Sequence, residues 1–112
     1  MTKDVEATLA TMVEDAYVIH VPVQTGGRGK EDVRRFYRDV FIPGWPDDKQ
    51  ITLVNRIVGD GQIVDELRVT FIHNKRMDWL LPNVPPTNKK VEVDFVVVIQ
   101  FRGDKNAAER IY

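Results

Sequence analysis

Apolar residues recur at helical spacing from the start of the chain: Val5, Leu9 and Met12 share one face of a segment from Asp4 to Met12, with Asp4 placed to cap it. The period then changes. Ala16-Tyr17-Val18-Ile19-His20-Val21 is a β-branched and aromatic run, which predicts a strand ended by Pro22. Gly26-Gly27-Arg28-Gly29 breaks the pattern, and Val33, Phe36, Tyr37, Val40 and Phe41 restore helical spacing from Lys30 to Phe41, stopped before Pro43-Gly44. From there the chain reads as strands. Ile51 to Val58 alternates loosely, Gly59-Asp60-Gly61 turns it, and Ile63 to His73 is the expected antiparallel partner. A loop-like stretch from Asn74 to Lys90 precedes Val91 to Phe101, whose valines suit a central strand. Gly103-Asp104 then turns into a last strand, Ala107 to Tyr112.

Helical segments followed by mostly antiparallel strands predict an α+β domain with its helices on one face of the sheet, and exclude alternating βαβ architecture. Within the Ile63–His73 strand, Ile63, Leu67, Val69 and Phe71 share a face with Asp65 and His73, while Glu66, Arg68 and Thr70 share the other. Two polar side chains on an apolar face are the first hint of a site. A one-residue slip in register would move both to solvent.

At 112 residues the chain fits one domain, against a soft prior of about 150 residues per domain. Its 43% hydrophobic and 29% charged residues are ordinary for a folded domain. Net charge is -1, with basic and acidic residues interspersed, so no basic stripe is available for nucleic acid. The absence of cysteine excludes disulfides, thiolate nucleophiles and cysteine metal sites. No apolar run approaches the roughly 18 residues of a membrane span, and the N-terminus has no signal-peptide core, so a cytoplasmic location is the expectation.

The order of elements, with Gly26-Gly27-Arg28-Gly29-Lys30, Phe71-Ile72-His73-Asn74, Pro85-Pro86-Thr87-Asn88-Lys89 and Glu109-Arg110-Ile111-Tyr112, resembles SnoaL-like proteins of the nuclear transport factor 2 superfamily over nearly the whole chain. The resemblance implies a cone-shaped α+β barrel: a curved, mostly antiparallel sheet with helices on its concave face around an apolar pocket. Asn88 stands where the family's turn has glycine, and Asn tolerates positive φ better than other side chains. An Asp is inserted in the Gly103-Asp104-Lys105 hairpin. Similar proteins begin with a longer helix and continue past a Tyr112-like position, so 1–112 is expected to be a single domain lacking the family's first helix and last strand. The resemblance also implies a homodimer and a small apolar ligand.

His20, at a strand end before Pro22, has an imidazole of ordinary pKa near ~6.5 and is a candidate general base; a structural, hydrogen-bonded histidine is the alternative. His73 matches the family's strand-end histidine. Asp65 can orient an imidazole, although it is too far from His73 along one strand to touch it, so His20 is the better partner for either. His73 equally suits tying down the following loop. Asp78 and Trp79 would line or cap the pocket, as would Trp45, and aromatics on loops also suit a dimer contact. Tyr17 and Tyr37 could donate to a substrate oxygen or simply pack. Arg28 would attract an anionic substituent, without the string of a phosphate loop.

Known chemistries of the superfamily fit incompletely. Val97 occupies the expected position of the isomerase's acidic oxyanion donor, and Arg68 is followed by Val69 and Thr70 without the second carboxylate that epoxide hydrolysis needs. Asp94 is a reserve base, but it shares a face with Glu92 as a solvated strand start would. His20, His73 and Asp65 lack metal-ligand spacing, and neither metal nor cofactor is expected. The reading is a cofactor-independent isomerase, cyclase or hydrolase in which His20 or His73 is the base and Asp65 or Asp78 orients it. A non-catalytic binder of a hydrophobic ligand and a dimeric interaction protein are the competing readings.

Overall fold

The computed structural model describes residues 5–112, so the capping role of Asp4 lies outside the described residues. The elements are α1 (Val5–Ala10), β1 (Met12–His20), β2 (Thr25–Arg28), α2 (Lys30–Phe36) with a π-helical turn at Tyr37–Phe41, β3 (Gln50–Gly59), β4 (Gln62–Ile72), β5 (Lys90–Arg102) and β6 (Lys105–Ile111). The six strands form one curved sheet in the order β2-β1-β6-β5-β4-β3. All neighbours are antiparallel except β1 and β6, which run parallel in its middle. The α+β architecture expected from the sequence is thus the one observed, with the sheet left open at its edges, β2 and β3.

Two boundaries differ from the sequence expectation. Met12 opens β1 instead of closing the first helix, because Thr11 turns the chain and Met12 pairs with Asn106. The second helix changes to i→i+5 bonding at its C-terminal end, where the Ile42 N–H donates to the Tyr37 carbonyl at 3.0 Å. A wider turn of this kind re-aims side chains and recurs at functional sites. Here Tyr37 and Phe41 both face the concave side of the sheet.

The glycine-rich segment read as a break is a short edge strand. Gly27 is required there because a Cβ would lie 2.7 Å from the Asp32 backbone, where α2 begins. That contact presses α2 onto β1 and β2. Gly44 plays a comparable part, since a Cβ would meet the Trp79 indole at 2.3 Å. Asn88 adopts φ 56°, the positive value that its turn was expected to need.

The core lies between the concave face and the helices. Leu9, Val18, Val33, Val69, Phe71 and Met77 are almost fully enclosed, and each side chain of this kind contributes about 1.5–3 kcal/mol by leaving water. An aromatic cluster continues it, with Phe41–Trp79 and Trp45–Trp79 ring centroids both 5.0 Å apart. On the outer face Glu92 and Asp94 pair with Arg68, as suits the solvated strand start expected of them. Among the described residues no helix is long and apolar enough to cross a membrane.

Candidate functional site

The concave face and the helices enclose a cavity of about 560 Å³ with mostly apolar walls: Val18, Leu67, Val69, Phe95, Val97 and Ile99 from the sheet, and Phe41 and Ile42 from the end of the second helix. From the sheet the polar side chains of His20, Asp65 and Glu109 face it, from the π-helical turn that of Tyr37, and from the loop after that turn that of Trp45. Strand alternation explains most of this set. Val18 and His20 fall on the inward phase of β1, Asp65, Leu67 and Val69 on that of β4, and Glu109 and Ile111 on that of β6.

His20 is 3% exposed and sits among Phe36, Phe41 and Trp79, with ring centroids 5.3 to 5.6 Å away. Loss of water around the ring holds its pKa below the ordinary histidine value, against a smaller upward pull from the Thr25 carbonyl. That carbonyl is 3.3 Å from Nδ1. The tautomer donating from Nδ1 leaves the basic lone pair on Nε2.

Glu109 is the residue that the sequence reading passed over. Its side chain is open to the cavity, yet its carboxyl is enclosed by protein, and this burial raises its pKa. The Asp65 charge pushes in the same direction, while hydrogen bonds to Glu109 Oε2 from Asn106 Nδ2 (3.1 Å) and the Tyr37 hydroxyl (3.4 Å) act against it. The Tyr37 pKa is raised too, first by burial and then by the neighbouring Glu109. Because Val18 stands opposite Glu109 in the parallel β1–β6 register, His20 is one inward position further along, beside Ile111. Strand geometry places the His20 and Glu109 backbones about 8 Å apart. A histidine with a lowered pKa and a glutamic acid with a raised one thus face one apolar space, close enough for a small molecule to touch both.

Asp65, 6% exposed, lies on the opposite side of the cavity. It accepts two hydrogen bonds from Arg56, at 2.7 Å from Nε and 2.9 Å from Nη2. Arg56 was legible from the hairpin: with the turn at Asp60-Gly61, pairing Gly59 with Gln62 sets Arg56 opposite Asp65.

The remaining sequence candidates lie outside this cavity lining. His73 is 1% exposed beneath the loop that follows β4. Its Nδ1 is 3.1 Å from the Thr87 hydroxyl, and its backbone binds Lys89 and Asn88, which is the loop-tying role. Its Nε2 is buried without a hydrogen-bond partner among the described residues. Asp78 is on the surface, paired with Arg76 at 2.9 Å. Trp79 is buried behind His20 and Phe41, in van der Waals support of the wall. Tyr17 and Arg28 stand opposite each other in the β1–β2 register on the outward phase, with the Arg28 guanidinium 5.1 Å from the Tyr17 ring centre. The structure therefore brings together His20, Asp65, Tyr37 and Trp45, adds Glu109, and separates them from His73, Asp78, Trp79, Tyr17 and Arg28. Among the described residues no group of three or more His, Cys, Asp or Glu is placed to hold a metal ion.

Solved structures share this architecture. A protein assigned as a SnoaL-like polyketide cyclase from Jannaschia sp. CCS1 superposes with a TM-score of 0.77 at 19% identity, over 96% of this chain and 70% of that one. An NTF2-like protein from Cytophaga hutchinsonii ATCC 33406 gives 0.73 at 19% identity, over 98% and 85%. The epoxide hydrolase/cyclase-like enzyme SalBIII of salinomycin pyran ring formation gives 0.69 at 15% identity, over 98% and 78%. At these identities the likeness is one of fold. No curated protein matches the chain in sequence. The family model for the SnoaL-like domain matches residues 1–109, which with the fold establishes that the chain belongs to the SnoaL-like domain family.

Proposed function

We propose that this chain binds a small, largely apolar carbonyl compound in its concave cavity and acts on it without a cofactor, as an isomerase, cyclase or hydrolase. The observation that carries the reading is the placing of His20 and Glu109 on one apolar cavity wall, where the same exclusion of water lowers the pKa of the first and raises that of the second. His20 Nε2 takes a proton from the carbon next to the carbonyl. The Tyr37–Glu109 pair donates a hydrogen bond to the carbonyl oxygen as negative charge develops there. Asp65 holds Arg56 at the far wall. The active form is a homodimer, which covers Val96 and Tyr112, exposed and paired by backbone hydrogen bonds on the outer face.

A non-catalytic binder is the second reading. It is favoured by the polar partner of the His20 ring, the Thr25 carbonyl, since among the described residues no carboxylate is hydrogen-bonded to the imidazole.

Exchange of α-protons of 2-acetylnaphthalene for deuterium, followed by NMR in deuterated buffer, separates the two. The catalytic reading expects wild type to accelerate exchange and His20→Gln to lose about 10²–10⁴ of that rate. It expects a bell-shaped dependence of the rate on pH, because the base acts unprotonated and the acid protonated. Saturable binding with no accelerated exchange would establish the binder instead.

A further inference from the structure

Arg56 is used by the reading above only to neutralise Asp65, and its geometry offers more. Both residues project from the concave face at directly opposed positions of β3 and β4. Asp65 occupies the Nε and Nη2 edge of the guanidinium. A guanidinium carries five N–H groups in one plane, so this grip leaves the Nη1–Nη2 edge, a second fork of parallel donors, with its orientation fixed. Asp65 lines the cavity, while the Arg56 side chain is 49% exposed, so the free edge lies where the cavity wall meets solvent. Leu53 and Val58 share the same face of β3 and are 47% and 71% exposed. On this face of β3 the rim is therefore apolar around the oriented Arg56 cation. No lysine or arginine lines the cavity itself among the described residues.

We propose that Arg56 is the specificity-determining residue for a carboxylate on the ligand, so that the cavity takes an apolar oxo acid with its carboxylate on the free guanidinium edge at the rim. This rests on the function proposed above, which supplies the carbonyl end of the ligand at His20 and Glu109. Arg56 on β3 is four strand spacings from His20 on β1, roughly 19 Å along the sheet, and three from the β6 strand that carries Glu109, roughly 14 Å; both spans are shorter across the concavity. A planar carboxylate matches the planar fork and forms two charge-assisted hydrogen bonds. A dianionic phosphate is disfavoured, because one cation already shared with Asp65 would face two further negative charges. Asp65 is a positioning residue here, acting through the plane of Arg56.

The test compares 2-acetylnaphthalene with 6-acetyl-2-naphthoate, a rigid pair differing by a carboxylate at the end remote from the carbonyl, in ligand-detected NMR titrations. Wild type should bind the acid about tenfold or more tighter than the neutral ketone, and added salt should erode that preference. Arg56→Gln should abolish the preference while leaving the ketone's Kd within about twofold, and Arg56→Lys should retain part of it through charge without the planar fork. If Arg56→Gln is too unstable because Asp65 has lost its partner, the Arg56→Gln/Asp65→Asn double variant replaces it and the preference should still be gone. Equal binding of acid and ketone by wild type, or equal weakening of both by Arg56→Gln, overturns the assignment and leaves the carbonyl-binding reading standing. Failure of wild type to bind either compound overturns both.

Discussion

The two ends of the concave face solve the problem of a polar group on an apolar wall in opposite ways. At the β1–β6 end, His20 and Glu109 lie beneath the helices without an ionic partner among the described residues, and loss of water pushes each toward its neutral form. At the β3–β4 end, Asp65 is buried like His20 but keeps Arg56 against it, and Arg56 reaches solvent. The contrast follows from where the helices lie. Phe36, Phe41 and Trp79 close over His20, whereas Leu53 and Val58 on β3 remain uncovered. One end is therefore suited to moving a proton, and the other to recognising a charge.

The contrast breaks most severely if the cover is removed. Phe41→Ala should cost about 3–5 kcal/mol in urea denaturation, and NMR titration should show the His20 pKa climbing back toward 6.5 as water reaches the ring. At the other end, Arg56→Ala leaves the buried Asp65 carboxylate without its partner and should cost about 1–3 kcal/mol by the same measurement. Val58→Ala, on the uncovered rim, should stay within about 0.5 kcal/mol of wild type.

Stability against pH sharpens the difference at the covered end. The folded Glu109 pKa lies above its ordinary 4.5, so the folded state holds a proton that the unfolded chain releases. Its contribution is present at low pH and lost as pH rises from about 4.5 through the folded pKa. His20 acts with the opposite sign. Its folded pKa lies below 6.5, so its contribution is present above that value and lost as pH falls through the folded pKa. Denaturation across this range should show Glu109→Gln without the first loss and His20→Gln without the second.

Much of the fold was legible because it rests on local periodicity. The alternation in β4 placed Asp65 on the inward face correctly, and the Gly59-Asp60-Gly61 turn already determined that Arg56 faces Asp65. The same alternation separates Tyr17 from His20: they differ by an odd number of positions, so an inward His20 makes Tyr17 point outward, taking Arg28 with it. His73 shares the inward phase of Asp65, but phase says nothing about position along the strand, and His73 lies past the last cavity-lining residue of β4, under the loop. Glu109 was hidden for a different reason. Its place in the cavity depends on the parallel pairing of β6 with β1, a contact between the two ends of the chain that no local pattern encodes. The π-helical turn that sets Tyr37 beside Glu109 is likewise a product of packing against that sheet.

The central claim is that His20 and Glu109 share one ligand. It is tested most directly by titrating 2-acetylnaphthalene into wild type, His20→Gln and Glu109→Gln under ligand-detected NMR, with folding of each variant checked by circular dichroism. The account predicts saturable binding to wild type that each substitution alters. The ketone binding unchanged to both variants, or not binding folded wild type at all, would contradict it.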